Sequence, residues 1–474
     1  MSKVWVKNLL ASGAFITGVT VLSLNVNAGD SIYSNFPVTV KDYKGSKSSS
    51  VSYTGQIARH VLHDSLKNLA GKGNGNANPE LKAKMMSYYG EKTPNREIIA
   101  PKTKGSFIVK QTNVDQISKK KNLSGKTYKG TISGMPNNMT GPELITFWID
   151  KASSAKKGVD NRNGYNYPQL ISKFIMGAVF YNQAVDNYLD EKLSANKKPN
   201  NKPYKKGAAY TGKEHSWDEA FGYFGMPAHG LSLSPGQLYS IAKQKPEGFE
   251  AADHNGDGKV DLYKEMMFAP AYYAAGYDKS KKTSYAKNIG NAFLNGRRVI
   301  TNADGAVLTD AQRNKLRDYA AIIESNWQKT LAESVFKYAG SVYKDLKKIN
   351  ETMATEKGSD KYEKKYIKHW GELKGFSLSL QTGRIQLGET AVKLNRLIGF
   401  GPVLPNSSQV VDIDSKGNYV KGESSGIEEY MVHMLKVQKL MVDKFDVKAR
   451  KNDQLAGMAE MLKKLGDGAS AEND

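Results

Sequence analysis

Apolar residues recur every three to four positions along several long stretches of the chain, the spacing that gives a helix one buried face. Residues 53–70 show it first, with Ile57, Val61, Leu62, Leu66 and Leu69 on one side. A second, short helix is expected over 79–89. Residues 91–140 are rich in Lys, Gly, Thr and Asn and read as loop, with a short strand near 106–110. Helices dominate from there. The stretch 142–155 opens with Pro142 after Thr140-Gly141 and places Glu143 in its first turn, where a proline and an acid are both favoured. Residues 167–195 predict a long helix, 196–206 a polar linker, and 217–224 and 235–244 shorter helices. The longest run is 308–352, about 60 Å or more as one helix, with Thr309 to Gln312 as a capping sequence and Gly340 as its expected bend. Helices over 362–381 and 427–451 complete the set. Strand patterns are few, so the expected fold class is all-α: helical bundles with irregular loop insertions.

The N-terminus changes where this protein is expected to work. Lys3 and Lys7 precede an apolar run over 9–24 that is broken by Gly13 and Gly18. Val26 and Ala28 supply small residues at the −3 and −1 positions of a cleavage site. This pattern predicts a signal peptide over 1–28, cleaved after Ala28, and a periplasmic or secreted protein. No later stretch is apolar enough for a membrane span after cleavage. There is no cysteine, which excludes disulfides and a cysteine-linked lipid anchor. Residues 29–52 read as an extended leader, 53–465 as the helical domain, and 466–474 as a disordered tail. The domain is expected in two bundle halves, about 53–245 and 266–465, with a calcium-type loop between them.

The formal net charge is +22. Its lysines are scattered, which describes a solvated basic surface or one that attracts anionic polymers. No nucleic-acid recognition motif accompanies the charge, so no specific nucleic acid is expected as a partner.

The joining loop, 253–265, carries the most specific chemistry. Asp253, Asn255 and Asp257 stand at positions 1, 3 and 5, Lys259 offers a backbone carbonyl at position 7, and Asp261 stands at position 9. Gly258 permits the sharp turn, and Val260 anchors the loop. Hard Ca2+ wants six to eight such oxygens. The loop resembles EF-hand and dockerin-type loops. Position 12 is Lys264, and the expected bidentate acid follows one residue later as Glu265. The expectation is one structural Ca2+.

Seven histidines occur, and several sit beside acids. His60 and His63 lie one turn apart on the first helix, next to Asp64. His215-Ser-Trp-Asp218-Glu219 and His369-Trp-Gly-Glu372 share the form H-x-x-[DE] with a tryptophan inside. Residues at i and i+3 share a helix face, and two such helices facing each other would gather four metal-binding groups. His–carboxylate sites suit Fe, Cu or Zn.

The segment His215-Ser-Trp-Asp-Glu-Ala-Phe-Gly-Tyr-Phe-Gly225, the acidic loop and His369-Trp-Gly-Glu372 together resemble the DUF4856 family of exported bacterial proteins, related to imelysin-like proteins. The resemblance implies paired helical bundles, periplasmic or surface exposure, and a link to iron or other metal acquisition, with metal-uptake or outer-membrane receptor components as partners. The G-x-H-x-x-E hallmark of the imelysin-like group falls on His369 and Glu372, with Ile367 where its glycine stands. At the first motif Lys213 stands in that place.

Three functions compete. The first is a metal-uptake accessory with His215, Asp218, His369 and Glu372 as ligands, supported by Glu219, His60 and His63. The second is a metal-dependent hydrolase in which Glu219 or Glu372 activates water. The third is a non-catalytic binding module for an anionic or glycan ligand, suggested by the basic surface and the 26 tyrosines.

Overall fold

The computed structural model describes residues 32–353 and 360–465. The expected signal peptide and the 466–474 tail lie outside the described residues.

The fold is all-α in the main, as the periodicity predicts. The described residues contain fourteen α-helices and two small two-stranded sheets, joined by loops and short 3-10 and π turns. α1 (Thr54–Ala70) and α2 (Pro79–Tyr89) stand where the apolar spacing places them. α3 (Gly141–Ser154) carries Pro142 and Glu143 in its first turn as expected, and Glu143 also closes a capping box: the Thr140 amide donates to its Oε2 at 2.8 Å. α4 (Tyr167–Ile175) is shorter than expected, because the chain widens into π turns over Met176–Tyr181 and Gln183–Tyr188 and then leaves the helical path. α5 (Gly212–Phe224) begins five residues earlier than its apolar pattern, capped by Thr211.

α6 (Pro235–Ala242), α7 (Pro246–Ala252), α8 (Ala271–Asp278) and α9 (Tyr285–Asn302) follow. α10 (Asp310–Met353) is 44 residues long, about 66 Å. It is the spine against which α8, α9, α11 (Asp360–Ser379) and α13 (Ile427–Phe445) pack. Gly340 sits within this one helix, and its role is close approach: an added Cβ would overlap the Asn452 carbonyl and the Gln438 side chain. α12 (Glu389–Ile398) packs on α13, and α14 (Met458–Leu465) ends the described chain.

The sheets are antiparallel hairpins. β1 (Val159–Asp160) pairs with β2 (Tyr165–Asn166), and β3 (Ser408–Ile413) with β4 (Tyr419–Glu423). Residues 106–110 make single bridges rather than a strand, one of them Val109 to Val260.

One hydrophobic cluster runs from Tyr33 to Ala449. α11 lies on α4 and α9 on α5, so the two expected halves share a core. The leader belongs to it as well. Tyr33 stacks on Phe221 at 3.7 Å, and Phe36 is buried. No helix among the described residues is long and apolar enough to cross a membrane.

Candidate functional site

The His–carboxylate positions do not gather into one group. Among the described residues, no cluster of three or more His, Asp and Glu side chains is placed to hold a metal ion. Each predicted residue instead has partners of its own.

Asp218 points into the core. Its carboxylate accepts from Arg297 Nε at 2.9 Å, Tyr33 Oη at 3.0 Å and the Ser52 amide at 3.1 Å. Arg297 also donates to Glu214 Oε1 at 3.0 Å. All three charged side chains are fully buried. Burial pushes the Asp218 carboxyl up to about 7, against the pull of Arg297. This cluster fastens the leader to α5 and α9 through Ser50, Ser52, Thr39 and Tyr33.

His215 leaves α5 on another side. Its ring lies between Tyr204 and Tyr210, with centroids at 4.3 and 4.4 Å, and burial lowers its pKa. Glu219 Oε2 is 3.8 Å from its Nε2, and Glu219 Oε1 accepts from Gln56 at 2.8 Å. His60 is a core histidine: its Nε2 is 3.0 Å from the Gly222 carbonyl, between Phe180 and Phe268, and burial drives its pKa down to about 3. His63 Nε2 lies 3.0 Å from the Ser172 carbonyl, and its Nδ1 lies 3.1 Å from Asp64. His369 Nδ1 is paired with Asp345 at 2.6 Å, a partner on α10.

The calcium-type loop is organised by its own carboxylates. Asp253 accepts from the amides of Asp257 and Gly258, at 3.1 and 2.9 Å. Asn255 Oδ1 accepts from the Asp257 amide, and Asp257 Oδ1 from the Lys259 amide. Asp261 Oδ1 accepts from the Tyr263 amide and from Gln111. Glu265 reaches back across the loop: Oε1 accepts from the Asn255 amide at 3.3 Å and Oε2 from the Asp261 amide at 2.7 Å. Val260 is fully buried and exchanges backbone hydrogen bonds with Ile108 and Lys110. The Lys110 ammonium sits on Asp257 at 2.9 Å.

Glu372 opens onto a cavity lined mainly by lysines and tyrosines. The cavity holds about 380 Å³ and lies where several helices meet. α1 brings Lys67, and α4 brings Gln169 and Lys173. The end of α6 brings Tyr239 and Lys243, and α8 brings Tyr272, Tyr273 and Tyr277, with Lys279 just beyond it. α10 contributes Lys337 and Tyr338, α11 Lys368 and Glu372, and Lys451 closes one side. The first expected half thus supplies one wall and the second half the other.

Seven lysines therefore face one carboxylate. Most of them are held over tyrosine rings: Lys243 lies 4.2 Å from the Tyr272 ring centre, Lys337 4.4 Å from Tyr338, and Lys279 4.5 Å from Tyr239. A ring face attracts a cation through its quadrupole without neutralising it. Burial pushes the tyrosine hydroxyls of 272, 273, 277 and 338 up, so they stay neutral donors.

Lys173 lies deepest, 1% exposed, with Glu372 at 3.9 Å. Burial, then Lys67, holds its pKa well below the ordinary lysine value. Two other buried lysines mark the contrast. Lys213 donates to three backbone carbonyls and Lys374 to the Gly399 carbonyl, which makes them structural. Lys173 makes no such bond among the described residues. The Gln169 side-chain oxygen in the same wall is buried without a hydrogen-bond partner.

Of the predicted residues, only Glu372 belongs to this cavity. The lysines come from separate elements far apart in sequence. Adjacent Lys–Tyr or Tyr–Tyr pairs, as at 272–273 and 337–338, are the only local trace they leave.

No curated protein and no solved structure matches the chain. Residues 41–235, from the leader to the first residue of α6 and including Lys67, Gln169 and Lys173, match a family model described as a domain of unknown function, DUF4856.

Proposed function

We propose that this is an exported binding protein that holds a small anionic ligand in the lysine–tyrosine cavity without transforming it. The observation that carries this reading is the pairing of the cavity lysines with ring faces rather than carboxylates. Cations kept in place but not neutralised are a charge deficit that a ligand can fill. Export is supported by the charged, apolar and small-residue pattern of 1–28, and imelysin-like kinship by the motif at 215–225. A transition-metal site at the histidines has less support, because His215, Asp218, His369 and Glu372 are each engaged with different partners. The test is calorimetry on the purified mature chain with small polyanions. The double variant Lys243→Met/Lys337→Met should weaken binding by about tenfold or more, and binding should fall as salt rises. Unchanged affinity in that variant would refute the site.

A second reading concerns the 253–265 loop, proposed to hold a structural Ca2+. It is supported by the reach of Glu265 to the third and ninth loop positions, which restores the acid missing at the twelfth. Terbium luminescence that is absent in the wild-type chain at millimolar concentration would remove it.

A further inference from the structure

The cavity also constrains the kind of anion, if the anion-binding reading above holds. Burial disfavours the charged form of Lys173, and the other six lysines against one glutamate still leave a positive surplus within about 380 Å³. A small tricarboxylate of that size supplies about three charges. A phosphate monoester supplies about −1.5 to −2 at neutral pH from a single compact group, so two or three of them match the surplus where carboxylates fall short. Arginine, whose planar fork suits a carboxylate in bidentate fashion, is absent from the lining. Lysine recognises phosphate as a point charge.

Two acceptors sit among these cations. The Gln169 side-chain oxygen is buried and unpartnered, and Glu372 uses Oε1 to accept from Tyr338 at 3.1 Å, with no hydrogen bond to its other oxygen among the described residues. A fully ionised phosphate has no proton to offer either of them. A hydroxyl does. The tyrosine rings add flat apolar faces against which a carbon ring can lie. We propose that the ligand is a small sugar or polyol that carries two or more phosphate monoesters and at least one free hydroxyl.

This class has two sources, a free metabolite or the phosphorylated sugar headgroup of a lipid. The experiment is calorimetry on the mature full chain at about 0.15 M salt. The probes are glucose 1,6-bisphosphate, myo-inositol hexakisphosphate, inorganic phosphate and citrate. Glucose 1,6-bisphosphate is expected to bind at least about tenfold more tightly than citrate or inorganic phosphate. Gln169→Leu should weaken glucose 1,6-bisphosphate but not the hexakisphosphate, which has no hydroxyl. Phosphatidylcholine vesicles carrying a bisphosphorylated disaccharide lipid, compared with vesicles carrying phosphatidylglycerol, separate the sources. Retention on the former alone assigns a headgroup, and no retention beside tight binding of the soluble probe assigns a free metabolite. Citrate binding as tightly as the bisphosphate overturns the phosphate class while leaving an anion site in place. If none of the four anions binds, the anion-binding reading falls and this inference falls with it.

Discussion

Arg297→Met tests the buried cluster that ties the leader to the helices. The methionine keeps the length of the side chain and removes its charge. Arg297 is fully buried, and its guanidinium serves Asp218, Glu214, Thr301 and Ser50 at once, above the Phe36 ring. Without it, two fully buried carboxyls face each other with no cation. Removing one partner of a buried ion pair costs about 3–5 kcal/mol. Asp218 limits the damage by taking a proton, since burial already pushes it up to about 7. At about 2 °C per kcal/mol for a chain this large, the loss lowers Tm by about 6–10 °C. The sign with pH follows. The folded chain binds the Asp218 proton more tightly than the unfolded chain does, so its contribution is fully present below about pH 4 and is lost as pH rises through about 7. The Arg297→Met defect should therefore be larger at pH 8 than at pH 5 in denaturant titrations. The triple variant Arg297→Met/Glu214→Gln/Asp218→Asn removes every charge and should recover most of the loss. A single variant within about 1 kcal/mol of wild type at pH 8, or a triple variant no better than the single, would refute this account.

Three further outcomes follow from the geometry. Lys173→Met should raise the stability of the ligand-free protein by about 0.5–2 kcal/mol, because a buried amine whose charged form burial disfavours, with no hydrogen bond to a backbone carbonyl among the described residues, is replaced by an apolar chain. The same variant should lose anion affinity, and a drop in Tm would show that Lys173 is structural. Calcium at about 100 times its Kd should stabilise the protein by about 2.7 kcal/mol, an effect absent in Asp253→Ala and strengthened in Lys110→Met, which removes the ammonium competing at Asp257; scanning calorimetry reads both. Gly340→Ala should destabilise by about 1–3 kcal/mol through overpacking, since the added Cβ meets the Asn452 backbone. A stability gain from better helix propensity would contradict that contact.

Periodicity located the elements whose one face is buried, and it failed where that contrast vanishes. α8 is buried on nearly every side, from Ala271 through Asp278, so its sequence has no stripe to read. In α9 the stripe is interrupted by Gly290, by Gly296 and by Arg297, whose charge is buried. The end of the α4 stretch was misplaced because π turns carry apolar residues past the point where α-helical register stops. The loop at 253–265 was legible because its chemistry is local: ligand positions at fixed offsets fold back on their own amides.

The histidine motifs show the opposite limit. Spacing at i and i+3 places His215 and Asp218 on neighbouring parts of one helix, but it does not choose their partners. Asp218 is engaged by Arg297, 79 residues away, and His369 by Asp345 on another helix. The cavity is a more extreme case. A count of +22 describes a basic chain without saying which lysines meet. Lys67, Lys173, Lys337 and Lys451 come together only when α1, α4, α10 and the segment after α13 pack around one space. Like charges brought together in this way cost stability, and the tyrosine faces offset only part of it. Lys213 donates to three backbone carbonyls, and Lys374 and Lys451 to one each, whereas Lys243, Lys279 and Lys337 lie over tyrosine rings, which separates lysines held by the backbone from cations left available. That separation, rather than the net charge, is the physical reason to look for the ligand in this cavity.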